Sequence, residues 1–182
     1  MESNEKRKGI LEEELKKAGI SNLISVEDGV GFTVPTISGN NLHIVAELTP
    51  DTLVMASFIT RVDGVEKSTM SEIGHFCHIV NRDLRIGMLE LNYDTGDVFS
   101  RISVPFAQML PENDVYKKLI QHSAYLYDEY HQGIIGLTNG KYKDAKAAFK
   151  DCYLSILKGL TKDDISFLLD AISKKVSEDD NT

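Results

Sequence analysis

The sequence predicts an α+β fold: a single antiparallel sheet of about five strands, flanking helices, and a helical appendage at the C-terminal end. Three features predict it. From Thr69 to Gly140 an amphipathic helix, a β-hairpin and a long aromatic-rich helix follow with almost no linker between them. Ahead of that stretch lie short alternating apolar runs broken by Asp-Gly and Thr-Pro-Asp turns, the pattern of antiparallel strands. Beyond Gly140 the period is that of helices alone.

The first element is a helix over residues 4–18, where Ile10, Leu11, Leu15 and Ala18 recur at helical spacing and Gly19 stops the run. Asp28-Gly29 then separates Leu23, Ile24 and Val26 from Val30, Phe32 and Val34, a short hairpin that ends at Pro35. Leu42, Ile44, Ala46 and Leu48 alternate as a strand before Thr49-Pro50-Asp51 turns the chain. The run from Leu53 to Ile59 is apolar on both faces, with Leu53, Met55 and Ile59 on one and Val54, Ala56 and Phe58 on the other. Asp63-Gly64 closes that strand region.

Thr69-x-x-Glu72 reads as a capping box that opens a helix. Met70, Ile73, Cys77 and Val80 form its apolar stripe, and it should stop near Asn81 to Asp83. Two strands follow at 84–93 and 97–106. The turn between them, Tyr93-Asp94-Thr95-Gly96-Asp97, has in Gly96 a residue free to take positive φ. A long helix begins after Pro111, with Glu112 and Asp114 near its positive end. Val115, Leu119, Leu126, Tyr130, Ile134 and Leu137 give it a broad apolar face, and Asn139-Gly140 ends it. Tyr142, Ala145, Phe149, Cys152 and Ile156 mark the next helix. Thr161-x-x-Asp164 starts a last short one carrying Ile165, Leu168, Leu169 and Ile172. The chain therefore divides into an α+β domain at 1–140 and a helical extension at 141–182 that packs on it, with a frayed acidic tail from about 177.

Composition narrows the function. The 182 residues are 42% hydrophobic and 26% charged, ordinary for a globular domain. A net charge of −8 with pI near 5.1 argues against nucleic acid, whose phosphates require clustered Lys and Arg. No apolar run approaches the ~20 residues that span a bilayer. Met1 to Lys17 is charged throughout and lacks a signal-peptide core, so a cytoplasmic location is expected. Cys77 and Cys152 read as buried free thiols.

No constellation identifies a reaction. His75 and His78, three apart on one helix, lack further ligands nearby, so neither metal nor cofactor is expected. Asp94, Gly96 and Asp97 lack the full spacing of a calcium loop, and a hairpin turn accounts for them. Tyr116, Tyr125, Tyr127, Tyr130, His122 and His131 form an aromatic band on the long helix, suited to packing and to the margin of an interface. Without a nucleophile elbow, a phosphate-cradling glycine loop or triad spacing, no catalytic residue is assigned. The leading reading is a non-catalytic protein-binding module, chaperone-like or regulatory. Its candidate partner-binding residues are Leu53, Met55 and Ile59 on the two-faced strand, and Tyr116 and Tyr127 on the long helix. A homo-oligomeric small-ligand sensor, or an enzyme of unknown reaction, is the alternative.

The stretch from 68 to 140 carries a family resemblance. A helix ending in Asn81-Arg82 feeds a strand at Ile86 to Leu91, and the Tyr93–Asp97 turn leads to Val98-x-x-Arg101-Ile102-x-Val104-Pro105. The long helix then carries Tyr127-Asp128-x-Tyr130 and closes with Ile134, Ile135, Leu137 and Asn139-Gly140. In this order the motifs resemble the type III secretion chaperone fold, and more closely the YbjN-like family that shares it. The resemblance implies an α+β domain, often a homodimer, that acts in protein binding or regulation and has no established catalytic residues. The segment after Gly140 departs from the usual end of that domain. Gly140-Lys141-Tyr142-x-x-Ala145-x-x-x-Phe149 also looks like half of a tetratricopeptide repeat, but one copy cannot bury its own face.

Overall fold

The computed structural model describes residues 4–27, 29–106, 111 and 113–159. Asp28 of the first hairpin, the helix expected at 161–172 and the acidic tail lie outside the described residues. The chain runs α1 (Asn4–Lys17), β1 (Ile24–Val26), β2 (Gly29–Pro35), β3 (Asn41–Leu48), β4 (Thr52–Arg61), α2 (Lys67–Asp83), β5 (Met88–Leu91), β6 (Asp97–Pro105), α3 (Asn113–Thr138) and α4 (Ala145–Gly159). The strands form one sheet of six in the order β1-β2-β3-β4-β6-β5, every neighbouring pair antiparallel. The sixth strand is β1, only three residues long at one edge.

Alternation puts one side chain of each pair under the helices. Val30 and Phe32 of β2, Leu42 and Ile44 of β3, Leu53 and Met55 of β4, Leu89 of β5 and Ile102 of β6 are all buried. They join Leu11 and Leu15 of α1, Ile73 and Phe76 of α2, and Leu126 and Ile134 of α3 in a single core. Each such side chain contributes about 1.5–3 kcal/mol by leaving water. The helix layer covers the sheet in parts: α1 lies on β2 and β3, α3 on β4 and β6, and α2 beside β5. Helix α4 packs on α2 and α3 as an outer piece of that layer.

Two local readings need correction. Helix α2 starts at Lys67, because the Met70 amide already donates to the Glu66 carbonyl at 3.0 Å. Thr69 therefore sits inside the first turn, and the Glu66 side chain makes no capping bond. Glu72 does cap a helix, but a different one: its carboxylate accepts the Ala145 amide at the start of α4 at 2.8 Å. The strand expected at 84–93 is shortened to Met88–Leu91. Gly87 takes φ +77° there and breaks the extended path, and a Cβ on it would lie 3.0 Å from Ile102 Cγ1.

The hairpin forms as the sequence predicts. The Gly96 amide donates to the Asn92 carbonyl at 2.8 Å, and the Asn92 side-chain oxygen accepts the amides of Asp94 and Thr95 at 2.9 and 3.2 Å. Strands β5 and β6 are adjacent, with Leu91 opposite Val98.

Candidate functional site

The five residues singled out for partner binding all lie in the core. Leu53, Met55 and Tyr116 are fully buried, while Ile59 and Tyr127 are only 3% and 8% exposed. As presented by this fold, none of them offers a surface patch. The reason is the side of β4 that each occupies: Leu53, Met55 and Ile59 point toward the helix layer, where α3 lies on β4 and β6. The Tyr116 ring is enclosed there, and burial pushes its phenol up to about 12. Tyr127 stacks on His131 with ring centroids 4.6 Å apart.

The apolar residues left to solvent are on the opposite side of the same strands. The register fixes two rows across the sheet. Ile24, Gly31, Val45, Ala56, Arg101 and Met88 are successive cross-strand partners from β1 to β5. Beside them run Thr33, His43, Phe58, Phe99 and Glu90. Ile24 is 66% exposed, Val45 42%, Phe58 40% and Met88 45%, so among the described residues no helix lies on this side. A shallow depression of about 380 Å³ runs along Val45, Ala56, Phe58 and Phe99 and reaches Asn92 and Asp97 at the hairpin end.

The charges around the depression are paired. Arg101 lies 5.8 Å over the Phe99 ring and meets Glu90 at 3.3 Å. Arg61 donates to both carboxylate oxygens of Asp97, at 2.6 and 3.2 Å. That guanidinium, with help from the Thr95 hydroxyl, holds the Asp97 carboxyl below its usual range. His43 shares a 3.1 Å hydrogen bond with the Thr33 hydroxyl. The result is an apolar strip with aromatic rings and a charge-balanced rim.

The sheet edges offer much less. Asn81 at the end of α2 donates to the Leu89 carbonyl at 2.9 Å and accepts the Leu89 amide at 2.7 Å, which covers the middle of β5. At the other edge β1 is short, and the Asn22 side chain takes the Thr33 carbonyl at 2.9 Å. Short or covered edges resist pairing with a further strand.

The remaining candidates are structural. His75 and His78 are exposed on α2, and His75 Nδ1 lies 3.9 Å from Glu72. Among the described residues no group of three or more His, Cys, Asp or Glu is placed to hold a metal ion. Cys77 and Cys152 are free and buried, and burial pushes their thiols up to about 12 and about 11, away from the thiolate form that reacts. Asp128 fixes the β2–β3 turn. It accepts the amides of Ile37 and Ser38 at 2.8 and 3.2 Å and the Ser38 hydroxyl at 2.5 Å. Among the described residues no helix is long and apolar enough to cross a membrane.

The fold is similar to several solved structures. One is YbjN, a candidate transcription regulator from E. coli, at 12% identity and TM-score 0.46 over 73% of this chain and 90% of that one. The ExsC-ExsE complex matches at 12% identity and TM-score 0.43, over 72% of this chain and 96% of that one. The HopA1-SchA chaperone-effector complex matches at 11% identity and TM-score 0.40, over 72% and 92%. At these identities the similarity is one of fold. No protein-family model and no curated protein matches the sequence.

Proposed function

We propose that this chain is a non-catalytic protein-binding module, chaperone-like or regulatory, and that its partner lies against the uncovered face of the sheet. One observation carries the reading: the central strand β4 is apolar on both sides, with Val54, Ala56 and Phe58 on the outer one, and the described helices cover only the other. An antiparallel sheet with one solvated face ordinarily makes that face polar. Here Val45, Ala56, Phe58 and Phe99 form an apolar strip, with Arg101 between Ala56 and Met88 at its β5 end. Aromatic, Met and Arg side chains ringed by satisfied polar groups are the composition of interface centres. The partner is a different protein. The paired charges on this face leave its attraction apolar, which suits a partner with a complementary apolar surface. Leu53, Met55, Ile59 and Tyr116 then act from beneath, as the packed floor that holds the strip flat.

The test places a photo-crosslinking benzoylphenylalanine at position 58, and a second one at the exposed Lys117 on α3. Light scattering and circular dichroism accompany native capture. The expected result is a cross-link to another polypeptide from position 58 but not from 117, lost in Val45→Asp while the fold is kept. If Val45→Asp and Phe58→Asp both stay folded and keep every association, the proposal fails. If Phe58→Asp merely turns a dimer into a monomer, the face serves self-association and the proposed partner is wrong.

A further inference from the structure

We infer a second binding site, in the groove between α2 and α4, for a short acidic peptide segment that carries an apolar anchor. It is separate from the sheet face and lies in the helix layer. His75, His78, Ile79 and Arg82 fall on one side of α2, at the three-and-four spacing that lines up helical neighbours. Lys146 and Phe149 of α4 face them across a groove of about 380 Å³. Ile79 is nearly buried and Phe149 is half-buried, packed on the core and stacked 6.2 Å from Tyr153. The floor is therefore apolar.

Charge identifies the occupant. The chain carries −8 overall, yet every ionisable group that lines this groove is basic. Arg82 and Lys146 bring a guanidinium and an ammonium to it, with the two imidazole rings beside them. Of the neighbouring carboxylates, Glu72 accepts the Ala145 amide and lies 3.9 Å from His75 Nδ1, Asp144 accepts the Ala147 amide and lies 3.6 Å from Lys143, and Asp83 meets Arg82 through its Nε alone, at 3.2 Å. The outer guanidinium nitrogens of Arg82 and the Lys146 ammonium are thus suited to an incoming carboxylate. Phe149 and Ile79 suit an aliphatic or aromatic side chain between two acids. Nucleic acid is disfavoured, since Arg82 and Lys146 can neutralise too few phosphates to hold a strand, whereas a short acidic segment needs only one or two such pairs.

The experiment uses the full chain and a fluorescein-labelled peptide Glu-Asp-Leu-Phe-Asp-Glu, read by anisotropy. Controls are the same peptide with Lys for each acid, the peptide with Ser for Leu and Phe, and a single-stranded oligonucleotide. The expected result is saturable binding of the acidic apolar peptide, weakened from about 0.05 M to about 0.5 M salt. The surface double variant Arg82→Glu with Lys146→Glu should lower affinity about tenfold or more, and Phe149→Ser should lower it as well. Phe58→Asp on the sheet face should leave it unchanged, which separates this site from the one proposed above. No binding to the native chain, unchanged affinity in the double variant, equal binding of the peptide without Leu and Phe, or preference for the oligonucleotide would each overturn the assignment.

Discussion

At the scale of single residues, the inner face of the sheet holds polar side chains where the outer face holds rings. Ser57 and Ser100 are directly opposed on β4 and β6, fully buried, and Ser123 of α3 is buried likewise. None of the three hydroxyls has a hydrogen-bond partner. Small side chains let α3 approach the two strands, so the cost of a bare hydroxyl is accepted for close packing. Replacing Ser57 with Ala should leave stability within about 1 kcal/mol or raise it, because the stripped polar atom is removed at little loss of volume. Met55→Ala, one pleat away, should cost about 2–5 kcal/mol through the cavity it leaves. Urea denaturation of both variants checks the contrast, and a larger loss for Ser57→Ala would show that its hydroxyl is satisfied in solution. His131 gives a pH signature. Burial against Tyr127 lowers its pKa from the ordinary 6.5, although Asp128 pulls the other way. The unfolded chain then takes up that proton at a higher pH than the folded one, so stability should fall as pH drops below about 6.5 and level off once the folded group is protonated. His131→Gln should flatten that slope in denaturation curves measured between about pH 7 and about pH 5.

At the scale of elements, the hairpin turn depends on one glycine. Gly96 sits at φ +73°, and a Cβ there would lie 2.6 Å from the Val62 carbonyl oxygen, while its own carbonyl accepts the Val62 amide at 2.9 Å. Gly96→Ala should therefore cost about 1–3 kcal/mol, visible as a lower urea midpoint. This turn was legible in the sequence because the bonds that close it are local, from Asn92 to Asp97, and the Val62 and Arg61 contacts only buttress it. The covered edge was not. Asn81 reaches Leu89 across an intervening turn, Glu72 reaches Ala145 across 73 positions, and Asp128 reaches Ser38 across 90. Side chains that act over such separations leave no periodicity to read. Asn81→Ala should bare both backbone groups of Leu89, and amide exchange at Leu89 should quicken by an order of magnitude or more, given about 1–3 kcal/mol for the lost pair. The candidate site was half legible. Strict alternation from Leu53 to Ile59 reveals two apolar faces, but it is symmetric, so it cannot say which face the helices take. The larger aromatic residues, Phe58 and Phe99, fell on the open side because α3 occupies the side where the serines are.

At the scale of the whole molecule, the helix layer is built in two parts with different anchors. Helices α1 and α3 bury large side chains directly on the sheet, while α4 packs mainly on α2 and α3. What holds α4 is close packing at two glycines and one remote carboxylate. A Cβ on Gly133 would come within 2.6 Å of Phe76 and 2.8 Å of the Cys152 sulfur, and Gly136 receives the Tyr142 ring just as tightly. Tyr142 in turn hydrogen-bonds Asp151 on α4. The Glu72 carboxylate meets the positive end of the α4 dipole, where an anion is favourable. From this division we expect α4 to open as a unit of its own. Glu72→Ala should weaken α4 by about 1 kcal/mol, the typical worth of a cap. Native-state hydrogen exchange should then show faster amides throughout α4, with those of β3, β4 and β6 unchanged. If the sheet amides speed up by the same factor, α4 opens only with global unfolding and the extension is part of one cooperative core. The α2–α4 groove would share this fate, since its Lys146 and Phe149 leave with α4. An acidic peptide bound there should slow α4 exchange in the native chain, and less so in Glu72→Ala, where part of the binding energy goes into closing the helix.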